Sequence, residues 1–385
     1  MKITKVETFK IGLPQRRHHT WAGNYATVGQ GYVVLKLYVE DGTYGLGEAQ
    51  VLKDWGGEYG SRYGEAPETT RIVIHDYLFP LIEGEDVRRI EHIHAKMDKF
   101  VKGYPYAKAA LDVAMHDVVG KLSGLPVYQL LGGLYREKVT VAHSLGLMEV
   151  DAAVTEALQV VDEGVTTLKA KVGLDAERDV ELVRKLRKAV GDKVKIRVDA
   201  NQGYRTWKEA LRITRIMQDF NIYFMEQPVE GLENMARVAQ GTDVPIMADE
   251  SAWNAHDVLR LIRASAAEMI SCYYTKAGGL MKAKKLLAVA ETGGLLCDVN
   301  GSAEMGVGNA ANFHLAASSA IVELPGTVPI TSTAEIERTK VAGHFYLDDI
   351  ITEPFEYKDG CVIVPDRPGL GIELDDKKIE TYSIG

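Results

Sequence analysis

Lys195-Ile-Arg-Val-Asp-Ala-Asn201, Tyr223-Phe-Met-Glu-Gln-Pro228 and Pro245-Ile-Met-Ala-Asp-Glu-Ser251 are three short apolar runs, and each ends in a carboxylate. The acids are Asp199, Glu226 and Asp249, separated by 27 and 23 residues. Such an interval holds one strand, one helix and two loops. If the strands are neighbours in a parallel barrel, the three acids meet at one rim. Their mutual repulsion there calls for a cation.

The same alternation runs outward from this stretch. From about residue 138, buried-type runs recur at VTVAHS, TTLKAK, KIRVDA, IYFMEQ, PIMADE, MISCYY, LLCDVN and AIVEL, with a period near 25 residues. Amphipathic stretches such as DAAVTEALQVVDEG, ERDVELVRKLRKAVG and TWKEALRITRIMQDF lie between them. Strand alternating with helix predicts an α/β chain with a parallel sheet, and eight such units predict closure into a barrel.

The active site of a barrel of this kind lies at the carboxyl ends of its strands. Strand one ends near His143 and Ser144, and strand two in Lys169-Ala-Lys171, whose lysines share one face. Strand three carries Arg197, Asp199 and Asn201 at one parity. Strand four ends at Glu226, five at Asp249 and Glu250, and six at Tyr273. Strand seven leads into Asn300, Ser302 and Glu304, and strand eight ends at Glu323.

A lone strand-end acid is usually a helix cap or an ion-pair partner. Three in consecutive units favour a metal site, and oxygen-only ligation favours a hard cation, Mg²⁺ with Mn²⁺ as the alternative. A lysine facing that metal suits removal of a proton alpha to a substrate carboxylate. The metal holds the carboxylate and the charge that develops on the enediolate.

The first third of the chain reads as α+β. Residues 2–12, 31–39 and 43–48 alternate as strands, with a hairpin turn at Asp41-Gly42. Helical patterns follow near 66–82, 87–101 and 107–123, the last with Ala110, Ala114 and Val118 at four-residue intervals on a close-packed face. Gly124-Leu125-Pro126 and Leu131-Gly132-Gly133 mark a boundary. The expected organisation is a capping domain over 1–128, a barrel over 129–349, and a tail over 350–385 that returns to the capping domain.

With 385 residues, 46% of them hydrophobic, the chain can bury a large core. A net charge of −9 argues against nucleic acid and acidic membrane surfaces as partners. Cys272, Cys297 and Cys361 are scattered and odd in number, which fits a reducing cytoplasm. No apolar stretch approaches the ~20 residues of a membrane span.

The motifs AKAALDVAMHDVVGKLSGLPVYQLLGG, TLKAKVG, RVDANQGY, FMEQPV, PIMADES and PDRPGLGIELD occur in an order and spacing that resemble the enolase superfamily, in its muconate lactonizing enzyme and mandelate racemase branch. The resemblance spans essentially the whole chain. It implies a (β/α)₇β modified TIM barrel with an N-terminal α+β capping domain. By position it implies Asp199, Glu226 and Asp249 as metal ligands and Lys171 as the strand-two base. Lys169 is its neighbour near the substrate carboxylate, and Glu323 is the strand-eight acid.

Two positions depart from that pattern. Where muconate lactonizing enzymes place a strand-six lysine, five residues before a Gly-Gly pair, this chain has Tyr273. Lys276 follows at a position expected to be structural. Where mandelate racemases place a strand-seven histidine, the nearest residue is Asn300. Racemisation wants a base on each face, so a single lysine favours a one-base lyase or cycloisomerase. Its substrate would be a hydroxy acid, diacid or lactone, and Tyr273 a general acid. Acid-sugar dehydration, and epimerisation with Tyr273 as second acid/base, are the alternatives.

Gly306-Val-Gly-Asn-Ala-Ala311 fits G-x-G-x-x-A and raises a dinucleotide-binding oxidoreductase, but it sits in the seventh unit without an acid about 20 residues on. Tight packing or a carboxylate-binding nest explains its glycines better. A metal-binding barrel without catalysis is the other rival. Substrate choice is expected from two loops, Arg16–Tyr25 and Trp55–Tyr63. Arg17, His19 and Trp55, together with Asn201, Glu250, Asn300 and Ser302, are the candidate substrate contacts. Two arginines and two histidines in the first loop suggest a polar, polyhydroxylated acid or diacid. Relatives of this type are often oligomers, so a homo-oligomer is expected.

Overall fold

The structure is a computed structural model that describes residues 1–22, 30–53, 55–62, 64–328 and 341–384. Residues 23–25 of the first predicted loop and Tyr63 of the second lie outside the described residues.

Ile3–Gly12, Gln30–Val39 and Tyr44–Ala49 form an antiparallel sheet in chain order. The predicted hairpin turn is present: Gly42 takes φ +88°, and the Asp41 carboxylate accepts the Thr43 N–H at 2.9 Å. Helices Ile90–Phe100 and Pro105–Ser123 fall where the periodicity predicts them. The second is buried along almost its whole length.

Its small-residue face explains the sequence pattern. A Cβ on Gly45 would lie 2.0 Å from the Ala114 carbonyl oxygen, and one on Gly47 would lie 1.9 Å from that of Ala110. The sheet therefore rests directly on helix backbone, which only glycine opposite alanine permits.

Seven parallel strands follow in consecutive spatial order: His143–Gly146, Thr167–Lys171, Lys195–Asp199, Met225–Glu226, Ile246–Ala248, Met269–Cys272 and Leu296–Val299. Helices alternate with them, several started by side-chain caps. Asp175 accepts from the Arg178 N–H, Thr206 from that of Glu209, and Asn254 from those of His256 and Asp257.

Two predicted strands differ. The run VTVAHS splits, so that Lys138–Thr140 pairs antiparallel with Cys361–Ile363 of the tail and the barrel strand begins at His143. The run AIVEL makes no continuous ladder. Val322 bridges Cys297, Gly326 bridges Val141, and Pro325 between them has no N–H to donate. These two bridges close the modified barrel.

The tail touches both halves. Cys361–Ile363 joins the barrel side, while Ser383 bridges Ile11 of the capping sheet. Buried carboxylates tie the halves together through backbone N–H groups. Asp112 of the helix Pro105–Ser123 accepts from Leu280 of the barrel at 2.6 Å, while Asp117 joins the same helix to the capping sheet at Leu46 and to the tail at Leu370.

Glu48 of the capping sheet accepts from Met305 at 2.8 Å and Gly308 at 2.7 Å. The glycine-rich start of the helix Gly306–Ala317 is thus a nest already filled by a carboxylate, which leaves no place for a dinucleotide pyrophosphate. Among the described residues no helix is long and apolar enough to cross a membrane.

Gly47→Ala is expected to destabilise the fold by about 1–3 kcal/mol, the range of overpacking in a dense core. Urea unfolding should show a lower midpoint at unchanged slope; an unchanged midpoint would mean that the sheet and helix are not in this contact.

Candidate active site

Parallel register brings the strand-end residues to one level. Lys171 pairs with Asp199, and Asp199 with Glu226, across strands two, three and four. Lys169 stands opposite Arg197 one step lower. Asp249 follows strand five immediately, at the end of Ile246–Ala248.

Ammonium groups bridge these acids. Lys169 Nζ lies 2.8 Å from both Asp199 Oδ2 and Glu226 Oε1. Lys171 Nζ donates to Asp199 Oδ2 at 2.6 Å and to Asn201 Oδ1 at 2.7 Å. Lys276 donates to Asp249 Oδ1 at 2.5 Å and to the carbonyls of Asp249 and Ser271. All three lysines are buried.

Electrostatics separates the groups. Burial opposes charge on Asp199, but Lys169 and Lys171 outweigh it and hold its pKa well below the usual range. Burial, then Asp199, pushes Glu226 up to about 7. Burial and Asp249 push Glu250 up to about 8. Burial would lower Lys169, but Asp199 and Glu226 raise it; for Lys171 burial wins and its pKa falls. Burial raises the Tyr273 phenol well above its ordinary value, with the surrounding carboxylates adding to the effect, so it stays protonated.

Among the described residues no three His, Cys, Asp or Glu side chains stand as a ready-made metal cage, because the lysines hold the carboxylate oxygens. The donor set nevertheless suits a hard dication. Its three carboxylates come from consecutive strands, supply only oxygen, and include a buried atom, Glu226 Oε2, without a hydrogen-bond partner. That oxygen lies 3.6 Å from the Arg197 guanidinium, beyond hydrogen-bond reach. Buried Oε2 of Glu250 is likewise unsatisfied.

The cavity above these groups has Lys169, Lys171, Asn201, Asp249 and Tyr273 in its wall. Ser144, Ser302 and Thr327 add hydroxyls, and His19, Trp21, Trp55 and Phe345 close it from the lid side. The sequence expectations for Lys169, Lys171, Asn201, Asp249, Tyr273, Ser302, His19 and Trp55 therefore converge on one space.

Other expected contacts do not reach it. Asn300 lies beneath, accepting the Thr327 N–H at 2.6 Å and donating to Ser271. Glu250 accepts from the Asn201 amide at 3.0 Å. Arg17 is turned away onto Glu156. Glu323 is exposed, and the residue at the carboxyl end of the closing strand is Thr327, because the chain continues past Pro325 before it reaches the cavity level.

Sequence reasoning missed Trp21, Thr327 and Phe345. Trp21 was readable as an aromatic in the lid loop. Phe345 follows no periodic pattern and is placed by tertiary contacts alone: its carbonyl accepts from the Arg16 N–H at 2.8 Å, and its ring meets His19 at 4.5 Å.

Residues 5–132 match the model of the mandelate racemase/muconate lactonizing enzyme N-terminal domain, and residues 152–378 match the enolase C-terminal domain-like model. The chain belongs to the mandelate racemase/muconate lactonizing enzyme branch of the enolase superfamily. It is 32% identical to an N-succinyl-L-Arg/Lys racemase of Bacillus cereus, an alignment covering 100% of this chain and 98% of the relative. It is 31% identical to muconate cycloisomerase 1 of Rhodococcus opacus, over 100% and 99% of the two chains.

An L-Ala-D/L-Glu epimerase of Bacillus subtilis is 30% identical over 97% of each chain. The crystal structure of the Bacillus cereus racemase superposes with a TM-score of 0.90, at 30% identity, covering 100% of this chain and 99% of that one.

Asp199→Asn, Glu226→Gln and Asp249→Asn should each weaken Mg²⁺ binding in calorimetry by more than the about 10–100-fold typical of outer-shell changes. Asn300→Ala, one layer removed, should leave it within about tenfold. Equal binding by all four variants would remove the three carboxylates from the metal site.

Proposed function

We propose that this enzyme removes the proton alpha to a substrate carboxylate from one face, with Lys171 as base and Tyr273 as proton donor, in an isomerisation of the cycloisomerase type. One observation carries the reading. Among the described residues the amines on the cavity wall both come from strand two, and strand six offers Tyr273 in their place. Lys276 does not substitute for the missing amine, because all its hydrogen bonds go to Asp249 and Ser271.

A Mg²⁺ held by Asp199, Glu226 and Asp249 would supply fixed positive charge to the substrate carboxylate. Lys169 adds a second positive charge at the same end of the cavity, where it bridges Asp199 and Glu226 and helps hold Asp199 ionised. Asn201 and Asp199 orient the Lys171 amine, whose Nζ lies 5.6 Å from the centre of the Trp21 ring. The Tyr273 ring packs against Trp55, at 5.1 Å, and Lys276, at 4.4 Å, contacts that fix the direction from which its hydroxyl would deliver a proton.

The relatives named above are a cycloisomerase, a racemase and an epimerase, which supports isomerase chemistry and gives the acid-sugar dehydratase expectation no support. Two of those names also favour a second reading, in which Tyr273 returns the proton to the opposite face and the outcome is epimerisation.

Proton exchange at the alpha carbon, followed by NMR in deuterated buffer with Mg²⁺ across carboxylic acids and lactones, tests both readings. Lys171→Ala should lose about 10²–10⁴-fold in exchange rate. Full exchange in that variant would sink the assignment of the base. Tyr273→Phe should keep exchange while net product falls by about 10²-fold. Deuterium appearing with inverted configuration would favour epimerisation.

A further inference from the structure

A cavity of about 780 Å³ lies in the seam between the capping domain and the barrel. That is within the roughly 300–1,000 Å³ of small-molecule pockets, whereas the space above Lys169 and Lys171 measures about 50 Å³. The helices Ile90–Phe100 and Pro105–Ser123 and the turn between them build one side, and the helix Leu280–Thr292 builds another. No step of the reaction proposed above uses it.

Three ammoniums converge there on one residue. Lys108 Nζ donates to Asp98 Oδ1 at 2.9 Å, Lys282 Nζ to Asp98 Oδ2 at 2.6 Å, and Lys102 Nζ to the Asp98 carbonyl at 2.7 Å. Lys108 also reaches the Val101 carbonyl at 2.6 Å. An ammonium has three donors, so all three lysines keep N–H groups unspent. One carboxylate answers three charges, and the carbonyls at the helix end add only about half a negative charge.

The other acids in this wall are engaged elsewhere. Glu91 takes a fourth lysine, Lys285. Glu65 accepts the Tyr106 N–H at 2.8 Å and the Ala107 N–H at 3.1 Å, and burial pushes its carboxyl up to about 7. The crowding of positive charge is felt within the cluster. Burial lowers the Lys108 pKa, Asp98 opposes it, and the Lys282 and Lys102 charges lower it further.

His94 also stands in the wall, four residues before Asp98 and so on the same helix face. It is 2% exposed, its Nε2–H donates to the Asp112 carboxylate at 2.6 Å, and its Nδ1 has no hydrogen-bond partner among the described residues. A buried ring nitrogen left open beside an excess of ammonium charge suits a polar ligand.

We propose that this cavity binds a small anion bearing a phosphate group, held by Lys102, Lys108 and Lys282, with His94 as a further polar contact. A carboxylate would bring one charge and two oxygens. A phosphate brings a charge of about −1.5 to −2 and three acceptor oxygens, which matches the surplus of charge and of donors. Lys108 belongs to the capping domain and Lys282 to the barrel, so the bound group bridges the two halves and stabilises both. Binding there does not require Lys171 or Tyr273 to act as assigned above.

Calorimetry of the full chain with inorganic phosphate, glycerol 3-phosphate, phenyl phosphate and acetate tests the site, without Mg²⁺ and at constant ionic strength. Saturable binding of a phosphate probe is expected, with a raised melting temperature. Lys102→Gln and Lys282→Gln should each weaken it about tenfold, the worth of one charge-assisted hydrogen bond. Lys102 is exposed, so its variant keeps the test open if Lys282→Gln does not fold.

An ester that binds more tightly than inorganic phosphate would make a phosphorylated metabolite the occupant; equal binding would make it free phosphate. Both outcomes support the site. Failure of all three phosphate probes to saturate, or acetate binding as tightly as they do, would overturn the proposal. So would undiminished binding in the Lys102 variant, the result expected if the anion goes to Lys169 and Lys171 instead.

Discussion

Asp199 and Glu226 stand side by side on adjacent strands with no exposure to water, and their repulsion is the constraint around which the site is built. Lys169, equidistant from both, offsets it. Removing one partner from such a buried set costs about 3–5 kcal/mol, because the charges left behind are uncompensated. The lysine therefore holds up the barrel interior. Arg197 repeats the device one layer down, reaching across to Asp298 at 2.8 Å and to Thr327 at 3.0 Å. It thereby ties strand three to the closing segment, where the ladder itself is broken by Pro325.

A site at a barrel rim also needs a roof that does not drift. The capping domain is stiffened internally by the glycine-on-alanine contact and is held on the barrel by Asp112 and Glu48, which accept backbone N–H bonds across the interface. Glu48 shows how much this arrangement demands. Burial pushes its carboxyl up to about 8, yet it satisfies two N–H groups of the helix Gly306–Ala317. An acid placed there for packing and capping fills the one glycine-rich turn that a motif search would assign to a nucleotide. The lid loop is fixed differently, by guanidiniums gathered on Glu156 and by the segment 341–347. Through Arg16 and Leu347 that segment pairs with the start of the lid.

Strand-end acids and the paired lysines were legible because period-two strands and a 25-residue repeat leave little freedom in where a side chain points. Glu323 was misplaced for a related reason. A strand interrupted by proline keeps its apolar composition but loses its register, so its last acid does not mark its end. Arg17 was misjudged because composition gives the charge of a loop but not its direction. Glu156, the residue that turns it outward, lies on an amphipathic helix where an acid reads as an ordinary solvated position. Phe345 and Thr327 depend on contacts between distant segments, which no local pattern encodes.

Tyr273 and Lys276 show how a change of one side chain alters a site without disturbing its frame. The short helical turn Tyr274–Ala277 carries Lys276 beneath the strand-five end, where Asp249 and Ser271 exhaust its donors. An amine so engaged cannot also face a substrate. The position on the cavity wall holds a phenol, Tyr273, packed against Trp55 and the Lys276 ammonium, which also lies 5.4 Å from the Trp55 ring centre. Burial keeps that phenol protonated, so it has a proton to give and no lone base to take one with. In the proposed reaction the proton is therefore taken on the strand-two side and supplied from the strand-six side.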